Sequence, residues 1–369
     1  MARAARRFAE FPMLALRGPA LSTLHRSGGT IRRFCAAAED VSVPIEEARA
    51  TTAQALRKIG WDDEDASLQA EIMVSAELCG NNQGLVKMYQ PELMAPAPGA
   101  SKPTVERETP TSAVINANQS PGMLAAVMAA DLAAAKAKPV AIVGAHNSST
   151  SSGQLAFYAE RIAKKGLVGI VLANSPEFVA AAPGGTPVFG TNPLAVGVPR
   201  AAGPPFVFDM ATSAIALFGV LTSKATGTPL PDHVAYGKDG GWTTDAAEAL
   251  SGGAIATFGG HKGAGLALCI ELLAGAMPGG AVLGQCASKL EAKSWGHTMI
   301  AIDPNALTDD FEAKAESIIT TVKASTPGMR IPGEVEAKIA ADRTAAGAMP
   351  VPVKIWESIC QTAKSGLAK

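Results

Sequence analysis

The residues able to do chemistry in this chain gather in a few turns. The hydroxyl run Ser148-Ser149-Thr150-Ser151-Ser152-Gly153 falls between a strand pattern and a helix pattern. Backbone N–H groups at a helix start suit a phosphate, and the hydroxyls add donors. Gly259-Gly260-His261-Lys262-Gly263 opens an apolar helical stretch and adds a cation. Its glycines let backbone approach a ligand closely, and Lys262 can neutralise phosphate. Arg330-Ile331-Pro332-Gly333-Glu334 sets an arginine before a third helix start. Taken singly, each is equally an ordinary surface turn or helix cap. The common dinucleotide fingerprint Gly-x-Gly-x-x-Gly occurs at no glycine, and Gly-x-x-x-x-Gly-Lys-Ser/Thr is absent too. Any nucleotide chemistry here must use other glycine-rich turns.

Those turns need a scaffold, and the composition permits one. The chain has 369 residues, 47% of them hydrophobic and 18% charged, with 37 Gly and 25 Pro. That excludes a disordered chain and suits an α/β enzyme with many tight turns. The formal charge of −1 is unevenly spread: residues 1–34 hold seven arginines and one acid, Glu10. This segment is +6 and the remainder is −7. An acidic body without a basic stripe argues against nucleic acid as a partner. The Arg-rich, acid-poor leader reads as a transit peptide over 1–38, which implies the mitochondrial matrix, or alternatively a plastid. The five cysteines (Cys35, Cys79, Cys269, Cys286, Cys360) form no CxxC pair. They are neither a disulfide framework nor a zinc site, and no metal is expected. Cys79 and Cys269 sit in apolar helical patterns and read as core. The apolar stretch 264–277 is interrupted by Glu271, so no membrane span is expected.

Helix signals run from Ser42 to Gly60, from Asp62 or Asp63 to Gly80, and briefly over 85–93. The acidic run at 62–65 reads as a solvated helix start. A Pro-rich linker at 95–103 marks a boundary. Strands at 104–107, 113–117, 140–144, 167–173, 206–209 and 298–302 then alternate with helices at 121–137, 153–165 and 263–276. Helices at 309–323, 334–346 and 352–363 close the chain. The expected division is a helical domain over 39–103 packing with the C-terminal segment 301–369, and an α/β cofactor and substrate domain over 104–300.

Five segments, taken in order, resemble one family: 166–174 (GLVGIVLAN), 184–193 (GGTPVFGTNP), 208–213 (FDMATS), 259–268 (GGHKGAGLAL) and 330–336 (RIPGEVE). It is the type-2 malate/L-lactate dehydrogenase family, which includes ureidoglycolate dehydrogenase, sulfolactate dehydrogenase and the Δ1-piperideine/pyrroline-2-carboxylate reductases. The resemblance implies a non-Rossmann NAD(P)-binding α/β fold with a helical domain formed from both chain ends. It also implies a homodimer and NAD or NADP as cofactor. Carried over by position, Thr191 contacts substrate, and Asp209, Met210 and Ala211 lie on the cofactor. Ser151, Ser152, Gly153, Gln154 and Leu155 contact cofactor phosphates. His261, Lys262, Arg330, Pro332, Gly333 and Glu334 complete that site.

The departures bear on mechanism. The family's Ser-His-Gly, whose histidine is the proton donor, is Asn82-Gln83-Gly84 here. The arginine that grips the substrate carboxylate is Lys87, which keeps the charge but loses the bidentate fork. An acid expected ten positions after Asp209 is Gly219, and Leu217 and Phe218 give a less polar substrate wall. The candidate catalytic residues are therefore Lys87, Gln83, Asn82 and His146. Reducing a ketone needs a proton at the developing alkoxide, and a positioned acid contributes roughly 10²–10⁴-fold. A cyclic iminium already carries its proton. The implied activity is hydride transfer between nicotinamide and a small 2-hydroxy/2-oxo acid, with cyclic imine-2-carboxylate reduction as the alternative. A non-catalytic nucleotide-binding homodimer is the third reading.

Overall fold

A computed structural model describes residues 40–81, 83–283 and 295–367. The expected leader, Asn82, Cys35 and Cys286 lie outside the described residues. The chain runs β1 (Asp40–Pro44), α1 (Ile45–Lys58) and α2 (Asp63–Leu78), then two 3-10 turns, Leu85–Tyr89 and Pro91–Met94. Next come β2 (Thr104–Glu108), β3 (Ser112–Asn116), α3 (Gly122–Lys136), β4 (Val140–Ser148), α4 (Ala156–Ala163) and β5 (Val168–Ala173). They are followed by β6 (Val179–Ala180), β7 (Pro187–Phe189), β8 (Leu194–Val198), β9 (Phe206–Met210) and α5 (Leu217–Thr226). A smaller lobe continues with β10 (Ala235–Tyr236), α6 (Ala246–Leu250) and β11 (Ala254–Ala256). The last elements are α7 (His261–Ile270), β12 (Trp295–Ile302), α8 (Phe311–Ser325), α9 (Glu334–Ala346), β13 (Ala348–Pro352) and α10 (Val353–Ser365).

The main sheet has seven strands in the order β2-β3-β4-β12-β5-β8-β9. Only β3 and β4 run parallel; the other neighbours are antiparallel. Helices α3 and α4 cover one face. The fully buried Met123, Ala126, Ala130, Tyr158 and Ile162 meet Val143, Met299, Val171 and Ala195 of the strands. α4 lies so close that a Cβ at Gly197 of β8 would fall 2.2 Å from the Ala159 carbonyl oxygen. Any side chain there would push helix and sheet apart. A four-stranded sheet, β10-β11-β6-β7, builds the smaller lobe around Val179, Phe189, Val220 and Ile255.

The first and last elements of the described residues meet. β1 pairs antiparallel with β13, from Asp40 opposite Pro352 to Pro44 opposite Ala348. α1 and α10 pack side by side, with Ile45, Leu56, Ile359 and Ala363 buried. This pairing is why the helix expected from Ser42 begins only at Ile45: the first residues are a strand whose partner is some three hundred residues away. Asp62 caps α2 as expected, accepting the N–H of Asp65 at 2.8 Å. The short helix expected over 85–93 is two 3-10 turns, broken where Pro91 starts the second.

Two further differences concern the site. The helix expected from Gly153 starts at Ala156, because the preceding residues pack as an irregular loop on the start of α3. There Gly122 N–H donates to Thr150 O at 3.1 Å. The helix expected through 276 keeps its length but changes register: after Ile270 it continues as a π-helical segment, Glu271–Ala276. Cys269, expected in the core, is exposed, since α7 turns Gly263, Ala267 and Ile270 inward. Among the described residues no helix is long and apolar enough to cross a membrane.

β12 carries His297 at the centre of the sheet. It is fully buried, and neither ring nitrogen has a hydrogen-bond partner among the described residues. Burial pushes its pKa down to about 4. The folded state therefore holds it neutral while the unfolded chain takes up a proton first as pH falls. Stability from this position is complete above the ordinary histidine pKa and is lost as pH falls toward 4. Replacing His297 with Leu removes two unpaired polar atoms. The variant is expected to match or exceed the parent in urea midpoint near neutral pH, and to lose less between about pH 6.5 and pH 5. A parallel loss in both proteins would show that His297 does not titrate in this way.

Candidate functional site

The motif-bearing turns of the sequence converge on the ends of β8 and β9. Thr191 and Asn192 lead into β8, and Thr212 follows β9. Thr212 N–H donates to Thr191 O at 2.8 Å. Its hydroxyl donates to Thr191 O and Asn192 O, each at 3.1 Å. Thr191 N–H in turn donates to Ser175 Oγ at 3.0 Å. The GTNP and DMATS segments are therefore one stitched unit.

Asn192 extends the stitch to α7. It is fully buried, and its Nδ2 donates to Ala267 O at 3.1 Å and Glu271 Oε2 at 2.8 Å. Glu271 is the acid that interrupts the apolar stretch. The π-helical segment carries it inward, where Oε1 accepts from Asn174 Nδ2 and Leu283 N–H. Burial raises its pKa, and the amides of Asn192 and Asn174 oppose that rise. Sequence reading missed Asn174, Ser175, Asn192, Thr212 and Glu271. Asn174, Asn192 and Thr212 fall inside the family segments without being singled out, and Glu271 showed only as a lone acid in an apolar run.

The glycine turn before α7 hangs from the same unit. Phe258 N–H donates to Thr212 O at 3.0 Å, and Thr257 Oγ1 donates to Gly260 O at 3.0 Å. Gly259 and Gly260 hold φ of 56° and 60° with open space around them. No side chain caps the helix, and His261 and Lys262 are exposed at its first turn. The first N–H groups of α7 thus face outward beside a cation.

The start of α4 is different. Asp209 Oδ2 accepts the N–H of Ala156 at 2.8 Å, so this helix end is already closed by a carboxylate. Burial pushes the Asp209 pKa up to about 6 against the hydrogen bonds from Ala156 and Leu155. The Ser-rich loop is therefore not the open phosphate-binding helix start expected from sequence. Ser152, Gln154 and Leu155 are buried, and Tyr158 Oη donates to Ser152 O at 2.6 Å. Only the Asp209 side chain is taken up in this way. Met210 and Ala211 continue the segment toward Thr212.

Ser151 has another partner. Lys87 Nζ, on the first 3-10 turn, donates to Ser151 Oγ at 2.5 Å and lies 5.4 Å from the centre of the Phe218 ring. Gly153 packs on the Lys87 stem and on Gln83 O. Lys87 is 8% exposed, and burial alone pulls its pKa down to about 8. No acid pairs with this cation among the described residues. α5 reaches Lys87 because Ser213 Oγ donates to Ile215 O and turns the chain into Leu217 and Phe218. Gly219 lies against Ile215, where a Cβ would come within 3.1 Å of Cγ1. An acid at that position would require Ile215 to move.

His146 is placed elsewhere in the hydrogen-bond network. Its Nε2 is 2.9 Å from Glu106 Oε2 on β2, and no hydrogen bond joins it to Lys87 or Ser151 among the described residues. The Arg330–Glu334 turn docks on β9: a Cβ at Gly333 would lie 2.8 Å from Val207 O. Glu334 pairs with Lys323 at 2.6 Å and accepts Ile331 N–H, while Arg330 and Pro332 are exposed. The structure thus gathers Lys87, Gln83, Ser151, Gly153 and Phe218 in one cluster. It joins Thr191, Asp209, Met210, Ala211, His261 and Lys262 through the Thr212 stitch.

Known proteins resemble this chain in sequence and fold. The chain is 37% identical over 268 residues to L-sulfolactate dehydrogenase of Methanothermobacter thermautotrophicus, covering 71% of this chain and 77% of that one. It is 56% identical over 120 residues to the Delta(1)-pyrroline-2-carboxylate reductase of Pseudomonas fluorescens, covering 32% and 35%. The crystal structure of delta1-piperideine-2-carboxylate reductase from Pseudomonas syringae pvar. tomato superposes with a TM-score of 0.80 at 28% identity, covering 87% of this chain and 99% of that one. The malate/L-lactate dehydrogenase family model matches residues 43–360. The chain therefore belongs to the malate/L-lactate dehydrogenase family and is an oxidoreductase.

Proposed function

We propose that this enzyme uses a nicotinamide dinucleotide to reduce a small cyclic imine bearing a 2-carboxylate. The observation that carries this reading is Lys87. It is a buried cation with no acid beside it, in a cluster whose other members are Ser151, Gly153, Phe218 and the Gln83 backbone. A buried charge without a partner is costly, and a ligand carboxylate would supply one. With Lys87 holding the carboxylate, no second titratable side chain among the described residues of the cluster is left to deliver a proton. A cyclic iminium needs none, because its nitrogen already carries one.

The residues present fit the dinucleotide. The open first turn of α7, with Gly259, Gly260 and Lys262, suits a pyrophosphate, and the closed start of α4 does not. When bound, the nicotinamide supplies the hydride. The protein's part is to seat the carboxylate on Lys87 and to keep the Phe218 ring over that ammonium. The second reading, reduction of a 2-oxo acid, is favoured by the 37% identity to L-sulfolactate dehydrogenase. Lys87 would then serve as both carboxylate partner and acid, and its pKa of about 8 suits proton donation.

The homodimer belongs to the same reading. Leu268, Leu272, Leu273 and Met277 lie 42–56% exposed on the outer side of α7 and its π-helical extension, with Cys269 among them. A contiguous exposed apolar stripe marks a protein interface. A second copy of this chain is its expected occupant.

Three outcomes check the proposal. Purified protein is assayed with NADH and NADPH against pyrroline- and piperideine-2-carboxylate, pyruvate and oxaloacetate. The imines are expected to turn over, with kcat/KM falling as pH rises through about 8, where Lys87 loses its proton. Turnover of 2-oxo acids without imine activity would sink the imine reading. Lys262→Ala is expected to weaken dinucleotide binding about tenfold, seen as a smaller rise in melting temperature at fixed dinucleotide. An unchanged shift would remove α7 from the cofactor site. Leu272→Glu is expected to yield a monomer in sedimentation velocity where the parent sediments as a dimer. A variant that remains dimeric would place the interface elsewhere.

A further inference from the structure

The turn that carries Lys87 is held from both ends. At its far end Ser358 Oγ of α10 donates to Met88 O at 2.7 Å. At its near end the main-chain N–H of Leu85, two residues before Lys87, favours the charged form of the Glu77 carboxylate on the last turn of α2. Between these points the chain folds back tightly on α2. A Cβ at Gly84 would lie 2.3 Å from Met73 O and 3.1 Å from Glu77 N. Only glycine permits this approach, and it sets the lysine turn directly against the last turns of α2.

Glu77 is held in turn by α9. Arg343 Nη1 donates to the carbonyl oxygens of Glu77 and Leu78, and Gly80 lies against Arg343 and Ile339. Burial raises the Glu77 pKa to about 7, opposed by Arg343 and by the Leu85 N–H. Its charged neighbours are Arg343 from α9 and, further reinforcing the rise, Asp40 from β1. A half-buried acid at such a place stands out. Among the described residues no hydrogen bond or ion pair joins Glu77 to Lys87, Ser151 or Phe218, and the C-terminal end of α2 gains nothing electrostatically from an anion. What its carboxylate does satisfy is the first N–H of the lysine turn.

We infer that Glu77 is a positioning residue: its carboxylate, on a stretch of main chain held by Arg343, fixes the turn that aims Lys87 at Ser151 and Phe218, and the grip of Lys87 on a substrate carboxylate depends on it. The inference rests on the reading of Lys87 as the carboxylate partner. Because α9 begins at the Arg330–Glu334 turn, which docks on β9, the same brace ties the lysine turn to the segment proposed to meet the cofactor.

The test is a double-mutant cycle in the full chain with a labelling readout. Glu77→Ala is expected to raise KM for the imine carboxylate about tenfold, while kcat and dinucleotide affinity change less than about twofold. Glu77→Gln, which keeps an acceptor oxygen, is expected to recover most of the loss. In a Lys87→Ala background, Glu77→Ala should add nothing further, since the group it positions is gone. Additive effects, or equal losses in kcat, KM and dinucleotide affinity, would overturn the inference. Lys87 reactivity toward acetic anhydride, followed by mass spectrometry across pH, needs no substrate. The parent is expected to titrate near 8, and Glu77→Ala to titrate higher as the turn loosens and water enters. A shifted midpoint without imine turnover would uphold the positioning role and refute only the substrate reading. An unshifted midpoint would refute the positioning role. Should Glu77→Ala fail to fold, Glu77→Asp, one methylene shorter, carries the same expectations at smaller size.

Discussion

The hydroxyl and amide of Thr212 hold the site together. Thr212 donates to both carbonyls of the Thr191-Asn192 turn, and its own carbonyl accepts from the loop that opens α7. Buried backbone carbonyls must find donors, and at this junction of three segments no regular ladder supplies them. A small side chain with one donor, buried between two turns, meets the requirement. Asn192 and Glu271 continue the same solution toward the inside of α7. The glycine-rich turns can stay open to a ligand because their supports are this well satisfied.

Lys87 shows the opposite condition. Its ammonium is removed from water and given a hydroxyl and an aromatic face, but no anion. Desolvation without a counter-charge favours the neutral amine, so the site holds an unfavourable charge that a carboxylate ligand would relieve. Asp209 is a buried acid whose environment also works against its charge. It spends that charge on the first donors of α4, which shapes the loop but leaves nothing for a ligand. One helix end is thereby closed and the other, at α7, left available.

Much of this was legible in the sequence, though unevenly. The motif residues around Thr191, Asp209 and Lys262 announced themselves by type and order, and Asp62 announced the start of α2. The Ser-rich run misled, because hydroxyls before a helix pattern look the same whether the helix end is open or closed. The deciding residue, Asp209, is 53 positions from its partner Ala156. β6, β10 and β11 have two or three residues each, too few to show a period of two. The π-helical register at Glu271 meets a tertiary partner in Asn192, and the 3-10 turn of Lys87 meets Ser358 of α10 through Met88 O; neither leaves a local pattern. The roles of Glu77 and Arg343 were not legible, since neither residue belongs to a motif.

The closure of β1 on β13 bears on the order in which this molecule can be made. Ile45 and Leu56 turn an apolar face toward α10, Ile45 N–H bonds to Gly347 O, and Gln54 Nε2 reaches Ala363 O. A ribosome delivers α1 near the beginning of synthesis and its cover near the end. The first helical layer therefore waits, uncovered, through the emergence of both sheets, and its native contacts are among the most distant in the chain. Such contacts form slowly and late, after the loop-closing entropy has been met. The same late event also secures the lysine turn, since α10 carries Ser358. The lysine turn is thus flanked by elements far apart in the sequence, α2 and α10, and neither alone encloses it.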